Sequence, residues 1–213
     1  MNNTLKHYSP LEECLNIGSH ALGFVLSLVG LVALLRHAVA AGGNLEIISF
    51  GIFGVSLVVT YGISTLYHST RSALQRVRLR IVDHASIYIL IAGTYTPFTL
   101  ITLQGITGWT IFGISWSMAL TGIVLKLFFT GRYEKLSTVM YIVMGWLILF
   151  AINPLIDNLA PAGLRWLLAG GVSYTVGALI YSIKKIPLNH AIFHVFVLIG
   201  SGCHFITVYV YLI

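Results

Sequence analysis

Residues 188–213 read LNHAIFHVFVLIGSGCHFITVYVYLI, an apolar run that opens with His190-Ala191-Ile192-Phe193-His194. A run of this length suits a membrane-spanning helix, which needs about 20 residues. Residues four apart lie one above the other on an α-helix, so the two imidazoles can converge on one point. That arrangement suits a metal ion. Ionisable groups are costly inside a bilayer, so a pair of them marks a functional site by default. Taken alone, an H-x-x-x-H also reads as packed or interfacial histidines. The rest of the chain bears on the choice.

Of the 213 residues, 57% are hydrophobic and 8% charged, far from the roughly 25% charge of a soluble domain. The class is therefore a polytopic membrane protein. Spans of about 20 residues nearly consume the chain and leave no room for a soluble domain, so the chemistry must sit in the bundle or its short loops. The net charge of +6 does not point to nucleic acid, because the basic residues fall at the ends of apolar runs. Cys14 and Cys203 form neither a C-x-x-C motif nor a disulfide framework.

Residues 1–15, with Lys6, His7, Glu12 and Glu13, read as a short cytoplasmic tail, and residues 16–213 as a single membrane domain. Seven helices are expected, at 16–40, 47–67, 84–103, 109–129, 136–156, 164–183 and 188–213. A cleavable signal peptide is the competing reading of the first, since Ala38-Val39-Ala40 resembles a cleavage site. The acidic residues before it and the length of its apolar run favour a retained span. Connections fall at Gly42-Gly43-Asn44, Gln104-Gly105 and Gly131, with Pro154 and Pro161 flanking the fifth loop. Pro97 lies inside the third span, where the missing N–H predicts a kink.

Counting Lys and Arg by side gives the orientation. With the N-terminus inside, ten of the twelve are cytoplasmic: Lys6, Arg71, Arg76, Arg78, Arg80, Lys126, Arg132, Lys135, Lys184 and Lys185. Arg36 and Arg165 remain outside. The expectation is an all-α seven-transmembrane bundle with a cytoplasmic N-terminus and an outside C-terminus.

Topology then gathers residues that are distant in sequence. Ser64-Thr65-Leu66-Tyr67-His68 closes the second span just before the Arg-rich loop, and Asp83 begins the third. His190 and His194 open the last span, after Lys184-Lys185, so His68 shares their depth. Three protein ligands with an open fourth position is the pattern of a catalytic zinc rather than a structural one. Zn²⁺ held by neutral imidazoles lowers the pKa of bound water towards about 7 and polarises a carbonyl. Asp83 can act there as general base or orient a ligand histidine, and Ser64 lies one turn before His68 on its face. The alternatives are that Asp83 pairs with an arginine of the loop and that Ser64 bonds its own backbone.

Ser64-x3-His68, then Asp83, then His190-x3-His194 resembles the hemolysin III group of the progestin and adiponectin receptor family. The wider superfamily includes alkaline ceramidases. Glu13-x2-Asn16-x3-His20 is similar to the bacterial hemolysin III pattern, and the likeness extends over essentially the whole chain. It implies a seven-helix bundle with Zn²⁺ near its cytoplasmic end, held by His68, His190 and His194, with Asp83 and Ser64 at the bound water. It also implies a bacterial cytoplasmic (inner) membrane location and a link to membrane-lipid homeostasis. Neither a sizeable N-terminal domain nor a C-terminal extension is expected, which favours a catalytic core over a hormone receptor.

The remaining histidines read differently. His204 lies ten residues past His194, about 15 Å along the helix and too far to share the metal. His84 points about 100° away from Asp83. His20 is the reserve ligand or a ligand-orienting group, and His7 and His37 read as tail and loop residues. Two functions follow. One is an intramembrane zinc hydrolase acting on a lipid amide or ester, with membrane lipid as substrate. The other is a membrane-perturbing, pore-forming or sensing protein in which zinc only staples helices. Few strong charges line the spans, which disfavours a wide channel.

Overall fold

The computed structural model describes residues 8–129 and 134–213. Lys6, His7, Gly131 and Arg132 of the sequence reading lie outside the described residues, as does the side chain of Lys135. Among the described residues eight α-helices follow in order: α1 (Pro10–Ala41), α2 (Asn44–Ser69), α3 (Ala73–Pro97), α4 (Gly105–Phe129), α5 (Glu134–Gly145), α6 (Ile152–Asn158), α7 (Pro161–Ser182) and α8 (Asn189–Tyr211). A π-helical turn, Phe98–Leu103, prolongs α3, and a 3₁₀ turn, Leu147–Ala151, joins α5 to α6. Counted as spans, seven helical stretches among the described residues are long and apolar enough to cross a membrane, and no strand occurs. The all-α seven-span architecture is as expected.

α1 and α3 begin furthest ahead of where the sequence reading placed them. α1 starts at Pro10 rather than Asn16, because Ser9 caps it by accepting from Glu12 N at 3.2 Å and proline suits the first helical position. Glu12 and Glu13 then lie in the first turn, where carboxylates complement the helix dipole. α3 starts at Ala73, so Asp83 lies well inside it instead of at its beginning. The intervening Gln, Leu and Arg residues are good helix formers, and the basic stretch simply extends the helix.

On α1 the pattern of a soluble helix is reversed. α1 turns Asn16, His20, Gly23, Ser27 and Gly30 inward while Leu22, Val25, Leu26 and Val29 are exposed. Lipid is as apolar as leucine, so helices associate through small and polar residues that permit close approach. Gly177 against Phe196 and Gly200 against Tyr174 do this between α7 and α8.

Interruptions fall where backbone groups can be satisfied by side chains. Beyond Pro97, the Thr99 hydroxyl donates to the carbonyls of Tyr95 and Thr96, both at 3.0 Å, within a fully buried π-turn. The fifth span, expected to be continuous, breaks after Gly145. There the Tyr95 hydroxyl donates to Gly145 O and accepts from Ile148 N, each at 2.9 Å. Pro154 sits in the first turn of α6, on the flank of the connection to α7. Helices α1 to α4 pack in sequence order, α7 packs on α8, and α8 returns against α1. The end of α2 and the beginning of α8 thereby meet beside the first turns of α1.

Candidate metal centre

α2 brings His68 in its last turn and α8 brings His190 and His194 in its first two turns. All three are buried, and their nitrogens lie within 4.8 Å of one another. His190 Nε2 is 3.1 Å from both His68 Nε2 and His194 Nε2. In a tetrahedral site with bonds of 2.0–2.1 Å, ligand nitrogens stand about 3.3 Å apart. The spacing fits a shared ion.

Hydrogen bonds behind the rings fix which nitrogen carries the proton. His68 Nδ1 lies 2.7 Å from Glu13 Oε2. An ionised carboxylate only accepts, so Nδ1 holds the hydrogen and Nε2 presents its lone pair. The Ser19 hydroxyl donates to Asn16 O at 3.1 Å, which leaves its oxygen to accept from His194 Nδ1 at 3.4 Å. His194 Nε2 therefore also presents a lone pair. One hydrogen on His190 Nε2 could satisfy only one of these two acceptors, whereas a cation satisfies both.

The first turn of α1, read in the sequence as tail, completes the site. Glu13 also pairs with Arg76 of α3, Glu12 Oε1 accepts from the backbone N–H of His190 at 3.3 Å, and the Tyr8 ring stacks on His190 with centroids 4.8 Å apart. Glu13 is the functional residue the sequence reading left without a role. A signal was present: Ser9-Pro10-x-Glu12 has the spacing of a capping box, which starts the helix in time to include it.

Ser64 and Asp83 are both buried, and the Ser64 hydroxyl lies within hydrogen-bonding reach of the Asp83 carboxyl. Asp83 Oδ2 is 3.5 Å from His84 Nδ1, which also bonds Arg80 O at 2.8 Å. His84 stays outside the three-histidine group, as expected. His20 is outside it too, but stacks face to face on His194, with centroids 3.5 Å apart, and meets Tyr61 edge-on. His37 is a helix residue of α1 lying against Tyr209 rather than a loop residue.

A cavity of about 140 Å³ opens from this centre into the bundle. Ser64, Asp83, His190 and His194 line one end, and Trp146 and His204 line it further in. His204 bonds Leu167 O at 3.2 Å. It takes no part in the metal group, as its distance along the helix predicts. Lys126, counted in the sequence among the cytoplasmic cations, is buried and also lines the cavity. Its position was readable: Ser115, Ala119, Gly122 and Lys126 share the inward stripe of α4.

These features define a multi-pass helical membrane protein with a buried three-histidine cluster able to hold a metal. The chain belongs to the Haemolysin-III related family, whose model matches residues 8–205. It is similar to Hemolysin-3 of Bacillus cereus, with 46% identity over 202 residues, covering 95% of this chain and 92% of that protein. The Hemolysin-3 homolog of Bacillus subtilis (strain 168) is 48% identical over 200 residues, 94% of each chain. The human Monocyte to macrophage differentiation factor is 26% identical over 209 residues, 94% of this chain and 84% of that one.

Proposed function

We propose that this chain is a zinc-dependent hydrolase of the bacterial cytoplasmic membrane, cleaving a lipid amide or ester and so serving membrane-lipid homeostasis. The observation that carries the reading is the cavity: it joins two of the three histidines, His190 and His194, to Asp83 and Ser64 at one end and to apolar walls beyond. A closed structural site has no use for such an opening. Three imidazoles with a free fourth position suit Zn²⁺, which when bound supplies Lewis acidity and a more acidic water.

The chain's own groups do the rest. His68 and His194 are held as Nδ1–H tautomers by Glu13 and Ser19, with their Nε2 lone pairs towards His190. Asp83 takes a proton from the attacking water as its oxygen adds to the acyl carbon. It returns that proton to the leaving nitrogen or oxygen as the C–N or C–O bond breaks. Ser64 orients the carboxyl, and Leu90, Ile91 and Val197 offer an apolar wall to the acyl chain.

Asp83→Asn tests this directly. Elemental analysis should find about one zinc per chain in both proteins, while mass spectrometry of ceramide-like and phospholipid substrates should show turnover falling at least about 100-fold in the variant. Unchanged turnover would remove Asp83 as the base. A metal that only staples helices, as in a membrane-perturbing or sensing protein, predicts no lipid turnover in either protein.

A further inference from the structure

We propose that His204 selects acyl chains that carry a hydroxyl group partway along, about 15 Å from the metal centre, by accepting a hydrogen bond from it at Nδ1. This deepens the hydrolase reading and rests on the cavity being the lipid site.

His204 is 7% exposed in α8 and lines the inner part of the cavity. A charged ring is costly at this depth, so the imidazole is neutral and carries one hydrogen. Helix α7 fixes where that hydrogen sits. Nε2 lies 3.2 Å from the Leu167 carbonyl, which can only accept, so Nε2 holds the hydrogen and Nδ1 the lone pair. The Cδ2–Nε2 edge lies so close to Gly170 that a methyl group on that residue would collide with both atoms. The opposite edge, which carries Nδ1, therefore faces away from α7 and into the bundle. Nδ1 is buried and has no hydrogen-bond partner among the described residues.

The hydroxyls that line the same part of the cavity are engaged elsewhere. Thr94 donates to Leu90 O at 2.7 Å, Thr175 to Gly171 O at 2.8 Å and Tyr95 to Gly145 O at 2.9 Å. Tyr174, whose ring meets His204 edge-on at 5.3 Å, shares a 2.8 Å hydrogen bond with Ser201. A buried acceptor left unpaired carries a desolvation cost, which a donor on the ligand removes. A lone water is held weakly there, because buried waters ordinarily make about three hydrogen bonds and the surrounding hydroxyl hydrogens are already in use. A hydroxyl on an acyl chain meets the need: burial of the chain holds it in place, and its single hydrogen reaches Nδ1. The position along the chain follows from the helix. His204 lies ten residues past His194. With carbon–carbon bonds of about 1.5 Å in a zigzag, roughly a dozen chain atoms cover the rise of those residues.

Native mass spectrometry of the detergent-purified full chain can compare three probes of one chain length: stearate, 12-hydroxystearate and 3-hydroxystearate. Wild type should bind 12-hydroxystearate about tenfold more tightly than either of the others. His204→Leu should abolish that margin without weakening stearate, because the apolar side chain leaves no acceptor to be paired. Should His204→Leu fail to accumulate, His204→Met makes the same comparison. Equal affinity for 12-hydroxystearate and stearate in wild type, an equal gain from the 3-hydroxyl, or a margin that survives loss of the imidazole overturns the role of His204 while leaving the lipid cavity standing. If none of the three probes binds, the cavity as a lipid site falls as well.

Discussion

His68 shows how a single residue is prepared for metal. Its Nδ1 meets Glu13 at 2.7 Å, and the second carboxylate oxygen of Glu13 is taken by Arg76, so the carboxylate is anchored before it orients the ring. Outer groups of this kind typically contribute 10–100-fold to metal affinity. Glu13→Gln should therefore weaken metal binding by about 10–100-fold in competition with a chelating indicator, with the fold retained. Unaltered affinity would leave Glu13 as a surface partner of Arg76. The three histidines were legible in the sequence because four-residue spacing and membrane depth are both linear properties. Glu13 was legible as a member of a motif but its contact with His68 was not, because that contact arises only when the first turn of α1 folds over the start of α8.

At the scale of elements, the informative contact is between α4 and the π-turn. Gly108 lies so close to the Thr99 carbonyl that a methyl group would collide with backbone rather than with a side chain able to move. Gly113, on the same helix, has open space where its Cβ would be. Gly108→Ala should lower stability by about 1–3 kcal/mol through overpacking. Gly113→Ala should be neutral or stabilising by up to about 1 kcal/mol through helix propensity. Thermal melts in detergent check both, and similar melting of the two variants would argue against a tight corner. The span count was readable from hydropathy, but the break after Gly145 and the π-turn after Pro97 were not. In lipid the outward faces of helices are as apolar as a core, so periodicity carries less information about where a helix is interrupted. What satisfies the broken backbone, Tyr95 above all, comes from a different span.

For the whole molecule, orientation and cohesion are separate questions. The basic residues Arg71, Arg76, Lys184 and Lys185 gather at the end that carries the metal centre. On the positive-inside rule that end is expected to face the cytoplasm. A phosphatase reporter active only outside should then be active when fused after Ile213 and silent when fused after Lys185; the opposite pattern would invert the bundle. Cohesion depends on how α8 is attached. It packs on α7 and α1, and it reaches α2 through Tyr61, whose hydroxyl bonds Ser201 at 2.7 Å, and through His68 at the metal cluster. An ion shared by His68, His190 and His194 therefore ties the second span to the last, with Glu13 and Ser19 drawing in the first. Because the unfolded chain cannot present these three nitrogens together, an ion at 1,000 times its Kd adds about 4 kcal/mol to native stability. Dialysis against a chelator should lower the melting temperature in detergent, restoring zinc should return it, and His190→Ala should melt low with no response to either treatment. If elemental analysis shows the metal gone while wild type melts unchanged, the centre holds no helices together.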